Sequence, residues 1–303
     1  MEMGLVVLLR AAWLAGMLPM LGQWLFGFAR RGNTTRSPSN KFTVPLKFVS
    51  HFYALAVVWT TFLLITTWFY VSQDASLLVS RPSYSTILKY LTGGSNIFSF
   101  HKSHRSMVVH GYEVWQSIIL LLLMEIQALR RLIESIYGFE YGPSDRMHIF
   151  VYLSGLLFYT AAPLSLCCTV APEVFKFAAS QVAEFIVKGK DHTPAFDFDW
   201  WVFVSLFMKL KWYSWTGVAT FLWGWYQQLQ ALAIFSFLSE SFEQADSSYD
   251  NWLDLVLSPH YETDIVMYAS FVIVSRGADL TIWLLFGFVA ASLAAYNRKN
   301  RRL

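Results

Sequence analysis

Four polar residues lie on one face of an otherwise apolar stretch of the chain. Gln127, Arg130, Arg131 and Glu134 are spaced i, i+3, i+4 and i+7, and in a helix this spacing stacks side chains on one face. Ionisable groups are costly among apolar residues, so each is a candidate for function. Such a face could carry a proton donor and positively charged groups that bind phosphate. The alternative is structural: Arg130 pairs with Glu134 at the edge of the apolar layer.

Other ionisable residues lie away from this face. Glu125 is two positions before Gln127 and roughly opposite it on the same helix, where it faces a second polar cavity or packs in its protonated form. His51 lies at the beginning of another apolar segment. It acts either as a proton donor or as an ordinary hydrogen-bonded structural residue. His101 and His104 form an H-x-x-H pair in a predicted loop without a carboxylate nearby, and we expect no metal site.

Several common catalytic motifs are absent from the sequence. There is no Gly-rich dinucleotide fingerprint, P-loop or nucleophile elbow. Cys167 and Cys168 are adjacent, which excludes a disulfide framework and the usual zinc spacing. The net charge of +3 is small and dispersed, so we expect no nucleic-acid partner.

The composition indicates that these residues belong to a membrane protein. Of 303 residues, 55% are hydrophobic and only 14% are charged, against about 25% charged in soluble domains. A membrane span needs about 20 mostly apolar residues in a helix, which satisfies its own backbone in lipid. We therefore predict an all-α, polytopic membrane helical bundle with six to seven transmembrane helices. The candidate spans are 5–28, 48–71, 114–136, 147–170, 215–238, 265–274 and 280–296.

The last apolar stretch is interrupted by Arg276, Gly277 and Asp279, so we predict two short helices there rather than one broken helix. The first segment is predicted to be a retained anchor. Because the longest connections, near 72–112 and 171–200, are too short for a separate domain, residues 1–303 are predicted to form a single membrane domain.

Positive charge predicts the orientation of the bundle, because short loops rich in Lys and Arg usually face the cytosol. With seven spans, three basic clusters fall on one side, which places the N-terminus in the lumen. The clusters are Arg30, Arg31, Arg36, Lys41 and Lys47; Arg130, Arg131 and Arg146; and Arg298, Lys299, Arg301 and Arg302.

Segments spread over nearly the whole chain share the motifs of a known family. They are VP at 44–45, SHFY at 50–53, EIQALRRLIE at 125–134, RMHIF at 146–150, YTAAPLSLCC at 159–168, VAEFIVKGKDH at 182–192, SPHY at 258–261 and LTIWLLFGF at 280–288. In these segments the sequence resembles the polyprenal reductases (polyprenol reductases) of the steroid 5-alpha-reductase family, and the plant members most closely.

The resemblance implies a multi-pass enzyme of the endoplasmic reticulum membrane. Such an enzyme uses NADPH to saturate the alpha double bond of a polyprenyl aldehyde, on the route to dolichol for protein N-glycosylation. Its partners are the polyprenyl lipid substrate and membrane lipid, and its oligomeric state is left open. Hydride adds to the beta carbon, and a preorganised donor stabilises the negative charge on the carbonyl oxygen.

The resemblance also implies roles for individual residues. Gln127 stands where steroid reductases carry a Tyr that contacts the carbonyl, and His51 lies near their catalytic Glu. We predict His51 as the proton donor and Gln127 as the partner of the carbonyl or the nicotinamide. Arginine suits phosphate because its planar fork donates paired hydrogen bonds. The predicted cofactor contacts are Arg130, Arg131, Glu134, Arg146, Trp252, His260, Tyr261 and Asp264.

The last third of the chain departs from the family pattern. On the predicted fifth helix, a His, an Arg and a His of the family are replaced by Gln227, Gln230 and Leu232, and no Lys or Arg occurs from Trp212 to Ser275. The C-terminal family segment is expected to be missing. Two hypotheses stay open: a working NADPH-dependent reductase, or a diverged or truncated, catalytically impaired relative that acts as a membrane scaffold or lipid-binding protein.

Overall fold

The computed structural model describes residues 2–29, 43–73, 97–138, 146–188, 210–242 and 263–300, and nearly all of these residues are helical. This confirms the all-α class. A single 3-10 turn, Leu46–Phe48, precedes the second helix, and a π-helical turn, Glu134–Gly138, ends the third. The helices of the described part are α1 (Glu2–Ala29), α2 (Val49–Gln73), α3 (Ile97–Ile133), α4 (Ile149–Leu166), α5 (Ala171–Lys188), α6 (Trp212–Phe242), α7 (Thr263–Val274) and α8 (Leu280–Asn300).

A short antiparallel sheet ties the start of α2 to the start of α4. Strand β1 (Thr43–Pro45) pairs with β2 (Arg146–His148), with Val44 opposite Met147. Because each strand runs almost directly into its helix, the pairing sets the two helices side by side, and α2 packs along α4.

Among the residues that the structure describes, two segments are long and apolar enough to cross a membrane: Leu46–Ser72 and Ile149–Leu166. Shorter apolar helices occupy Gly4–Leu18, Thr263–Val274 and Leu280–Ala295. Large apolar side chains are exposed on α2 and α4, among them Val58 and Leu157, which fits a surface that faces lipid. These features indicate association with a membrane, while the number of six to seven spans stays a prediction.

The described helices enclose an apolar core that consists of a large cluster and a smaller one around Val114 and Val170. In it α2 packs against α3, α4 and α5, and α1 packs against α8. Side chains from all eight described helices meet in the larger of the two clusters, which fixes the relative positions of the polar residues described below. These side chains include Leu63, Met124, Phe221, Met267 and Leu285.

Helical structure extends beyond the apolar runs. Helix α3 begins at Ile97 rather than at Val114, so His101 and His104 lie in a helix and the prediction of a loop there was wrong. Helix α5 occupies much of the region that the sequence suggests is a connection. Charged residues interrupt the apolar runs of both segments, which lowers their average hydropathy but does not prevent a helix.

The predicted break between α7 and α8 is confirmed. Arg276 and Gly277 adopt left-handed backbone conformations, with φ of 60° and 66°. The Gly277 amide donates to the Val272 carbonyl at 2.8 Å, which closes α7. The Asp279 carboxylate then accepts a hydrogen bond from the Thr281 amide at 2.8 Å and caps α8.

Candidate functional site

A group of polar side chains is buried where α3, α6 and α7 meet. Most of its members are almost fully enclosed, and the side chain of Arg131 keeps 16% of its surface exposed. Since α3 alone supplies most of the group, the i, i+3, i+4, i+7 stripe of the sequence faces the protein interior. We call this group the polar cluster: Gln127, Arg130, Arg131, Glu134, Gln228 and Asp264.

Asp264 is the centre of the polar cluster. It lies at the beginning of the described part of α7 and is largely buried. Its Oδ1 accepts hydrogen bonds from Gln127 Nε2 at 3.3 Å and from Gln228 Nε2 at 2.6 Å. Its Oδ2 accepts a hydrogen bond from Arg131 Nη2. One carboxylate therefore joins α3, α6 and α7.

Glu134 holds the two arginines from the other side. Its Oε1 lies 2.7 Å from Arg130 Nη1, and its Oε2 lies 3.5 Å from Arg131 Nη1. The Arg130–Glu134 pair of the structural alternative is thus formed, but both side chains are about 95% buried. With Asp264, two cations and two anions balance inside the bundle, as buried charges require.

Arg130 nevertheless keeps unused donors. Within the described part of the chain, its Nε, Nη1 and Nη2 are buried and make no hydrogen bond of acceptable geometry. The same holds for the acceptor Gln127 Oε1 and for the hydroxyl of Ser135. Buried polar atoms are normally bonded, so the Arg130 nitrogens can donate to an oxygen of a ligand and Gln127 Oε1 can accept from an amide group.

Three tyrosines surround the charged residues. Tyr53 of α2, Tyr159 of α4 and Tyr268 of α7 lie within electrostatic range of Arg131, and each also interacts with at least one of the others. The rings of Tyr53 and Tyr159 are 5.3 Å apart. Phenol groups can donate to an oxygen that gains negative charge. Sequence reasoning missed all three, although Tyr268 stands i+4 from Asp264 on one helix face.

The structure separates His51 from this environment. His51 is exposed at the start of α2 and stacks on Phe48 at 4.8 Å, whereas Tyr53 is the residue of that turn that interacts electrostatically with Arg130 and Arg131. The role of His51 as proton donor stays a prediction.

The other predicted cofactor contacts are distributed as follows. The backbone of Arg146 lies in β2 opposite Pro45. Trp252, His260 and Tyr261 lie outside the described residues. Of the predicted contacts, the structure therefore brings together Arg130, Arg131, Glu134 and Asp264, together with Gln127.

Glu125 belongs to a different contact. Its Oε1 accepts a hydrogen bond from the hydroxyl of Thr61 on α2 at 3.0 Å, and its Oε2 is buried without a hydrogen bond in the described residues. It therefore packs at the α2–α3 boundary and not in the polar cluster.

Gln228 is the glutamine of α6 that reaches the cluster, and it was not among the predicted site residues. It is completely buried. The resemblance pointed instead to its neighbours, of which Gln230 is exposed and donates to the hydroxyl of Tyr226 at 2.8 Å. The sequence offered no local signal to distinguish these glutamines.

Comparisons with known proteins give one consistent group of relatives. The chain is 46% identical to polyprenal reductase 2 of Arabidopsis thaliana, over 96% of this chain and 91% of that protein. It is 40% identical to polyprenal reductase 1 of Oryza sativa subsp. indica, over 95% and 89%, and 24% identical to polyprenal reductase of Mus musculus, over 88% and 76%. No family model matches the chain. No solved structure matches it either.

Proposed function

The chain belongs to the polyprenal reductases, and from this membership we propose that it reduces the alpha double bond of a polyprenyl aldehyde with NADPH, converting polyprenal to dolichal. It is accordingly an oxidoreductase that acts on a CH–CH group. We place the reaction in dolichol synthesis for protein N-glycosylation, and the protein in the endoplasmic reticulum membrane as a multi-pass enzyme.

The polar cluster is the observation that carries this proposal. An enal carried on a long hydrocarbon needs an apolar protein with a few enclosed polar groups, and the cluster supplies these between apolar helices. The buried guanidinium of Arg130 is paired with Glu134, but its nitrogens make no hydrogen bond of acceptable geometry among the described residues, so the pair leaves donors for a ligand.

The residues of the cluster fit a nicotinamide cofactor. Arg130 can donate to an anionic oxygen, and Gln127 Oε1 can accept from a carboxamide. When bound, the cofactor supplies the hydride. Arg131 is held by Asp264 and Glu134, so we propose that it positions the cluster and adds positive charge. Arg146, Trp252, His260 and Tyr261 remain proposed contacts from the family resemblance.

Reduction of an enal needs two further groups besides the hydride: a donor that stabilises the carbonyl oxygen and an acid that protonates the alpha carbon. Negative charge develops on the carbonyl oxygen, where Gln127 and the tyrosines of the site are candidate donors. A proton must also reach the alpha carbon. We keep His51 as the proposed proton donor and add Tyr53 as the competing residue of the same helix. Replacing each in turn, His51→Gln and Tyr53→Phe, decides between them, because the true donor alone lowers turnover strongly.

The alternative function is a catalytically impaired relative that serves as a membrane scaffold or lipid-binding protein. The closed charge balance of the cluster favours it, since Arg131 is already neutralised by carboxylates. In that case Arg130 and Glu134 act as a buried ion pair that keeps α3 in place.

Cofactor titration of the purified full chain in detergent distinguishes the two functions. We expect saturable binding of NADPH that is tighter than binding of NADH, and reduction of polyprenal when both substrates are present. Arg130→Gln should weaken NADPH binding at least about tenfold, the effect of roughly one charge-assisted hydrogen bond. Arg10→Gln is the matched control, because Arg10 pairs with Asp279 in a separate contact. Absence of binding at millimolar NADPH contradicts the reductase and supports the scaffold.

A further inference from the structure

A cavity separate from the polar cluster lies at the end of α7 that is farthest from Asp264, and we call it the second cavity. It has a volume of about 660 Å³ and opens where the start of α6, the end of α7 and the start of α8 converge. Its wall includes two cations and three aromatic side chains. They are Lys211, Arg276, Trp212, Tyr213 and Trp283.

Both charged residues that line this cavity in the described part of the chain are cations. Neither Lys211 nor Arg276 forms an ion pair with any residue that the structure describes. The Lys211 ammonium lies 4.6 Å from the centre of the Tyr112 ring, which holds it at the cavity wall. Two like charges facing one space attract an anion there.

The backbone of Arg276 is held in an unusual conformation. Its φ of 60° lies in the left-handed region, which residues other than glycine rarely adopt. The turn is fixed because Trp283 Nε1 donates to the Gly277 carbonyl at 3.0 Å. Strain of this kind is concentrated at binding sites, and here it brings a guanidinium to the same cavity as Lys211.

The rest of the wall is mostly apolar. Trp212 is 76% exposed and Trp283 is 46% exposed, and tryptophan is enriched at the boundary between lipid and water. Tryptophans that only mark the boundary between lipid and water would be scattered over the surface. Here Trp212 and Trp283 line one cavity together with both cations. We propose that this cavity binds the phosphate headgroup of an anionic membrane lipid, with the lipid's apolar part against the tryptophans.

Lipid binding to the detergent-purified full chain tests this proposal. Native mass spectrometry with phosphatidylglycerol and with phosphatidylcholine measures the preference directly. We compare the wild type with Lys211→Gln, with Arg276→Asn, and with the double variant; asparagine tolerates the left-handed backbone. Lys47→Gln removes a cation from the turn before α2 and is the matched control, and Lys211→Arg should preserve binding.

The expected result is a preference of the wild type for phosphatidylglycerol that falls about fivefold for each charge removed and about thirtyfold for both. Lys47→Gln should leave it unchanged. A double variant that folds by circular dichroism and keeps the full preference overturns the proposal, as does a wild type that binds both lipids equally. If the double variant does not fold, Lys211→Gln decides in the same way.

Inorganic phosphate separates a lipid from a free anion as the ligand. Because the proposed ligand also contacts the apolar wall, added inorganic phosphate should not displace phosphatidylglycerol. Complete displacement would contradict the lipid and indicate a site for free phosphate.

Discussion

Asp264 accepts hydrogen bonds from two glutamine amides and one guanidinium. The amides use one oxygen and the guanidinium uses the other. A neutral amide at this position would still offer one oxygen to the glutamines, so the charge of Asp264 acts mainly on Arg131. A substitution of Asp264 by asparagine therefore removes the ion pair with Arg131 while the hydrogen bonds from the two glutamines can remain.

We predict that Asp264→Asn lowers the stability of the protein by about 3 kcal/mol, because it leaves a largely buried Arg131 without its main counter-charge. The measurement is the thermal unfolding midpoint in detergent. Asp279→Asn is the control: its partner Arg10 is 3.8 Å away and more exposed, so its loss should cost less than about 1 kcal/mol. Equal effects of the two substitutions would contradict the central role of Asp264.

Gln127→Ala is predicted to slow turnover by about 10²-fold, the effect of removing one donor from a site where negative charge develops. Because Gln127 is also proposed to accept from the nicotinamide carboxamide, the NADPH constant should rise as well, but by less than turnover falls. Steady-state kinetics separates the two parameters. Gln230→Ala removes an exposed glutamine whose bond is to Tyr226, and it should behave like the wild type. A rate unchanged by Gln127→Ala would remove this residue from the proposed site.

The sequence predicted the part of the polar cluster that lies on one helix. The stripe from Gln127 to Glu134 follows from helical period, and Asp264 was identified through the family motif. Gln228 and Tyr159 were missed because their contact with α3 or α7 depends on how helices distant in sequence pack. No spacing along the chain encodes that packing.

Helices α3 and α5 show the limits of reading elements from apolar runs. The apolar run predicts the centre of α3, whereas its first part, with His101 and His104, is helical where the sequence pattern predicts a loop. A helix with one charged face has low mean hydropathy, so its ends are hard to place from hydropathy. The α7–α8 break was predicted correctly because Gly277 gives a direct backbone signal.

Close approach of α6 and α7 depends on a residue without a side chain. A Cβ at Gly217 would lie 2.5 Å from Val274 Cγ2 and 2.8 Å from the Val274 backbone nitrogen. We predict that Gly217→Ala forces the helices apart and costs about 1–3 kcal/mol, as measured by thermal unfolding. Gly4→Ala, with nothing within 4 Å of the new Cβ, should be neutral or stabilising by up to about 1 kcal/mol. Gly217→Ala with unaltered stability would contradict this packing.

The whole molecule has two chemically different ends. The polar cluster gathers at the start of α7, while Lys211 and Arg276 lie at its other end. In the orientation predicted from the basic clusters, the polar cluster faces the cytosol, where NADPH is available to it, and the second cavity faces the lumen.

Single cysteines introduced at Lys47 and Lys211 test this orientation. Both positions are exposed, and the native Cys167 and Cys168 are buried, so background labelling should be low. In sealed microsomes, Lys47→Cys should react with a membrane-impermeant maleimide from outside, and Lys211→Cys only after permeabilisation. Reaction of both from the same side would contradict the arrangement of seven spans.

The described part of α7 is enclosed by its neighbours and has little contact with the surroundings of the bundle. Met267, Ser270 and Phe271 on this helix are almost completely buried. A polyprenyl aldehyde that approaches Asp264 therefore has to enter between helices, while its long tail can stay in the hydrocarbon layer of the bilayer.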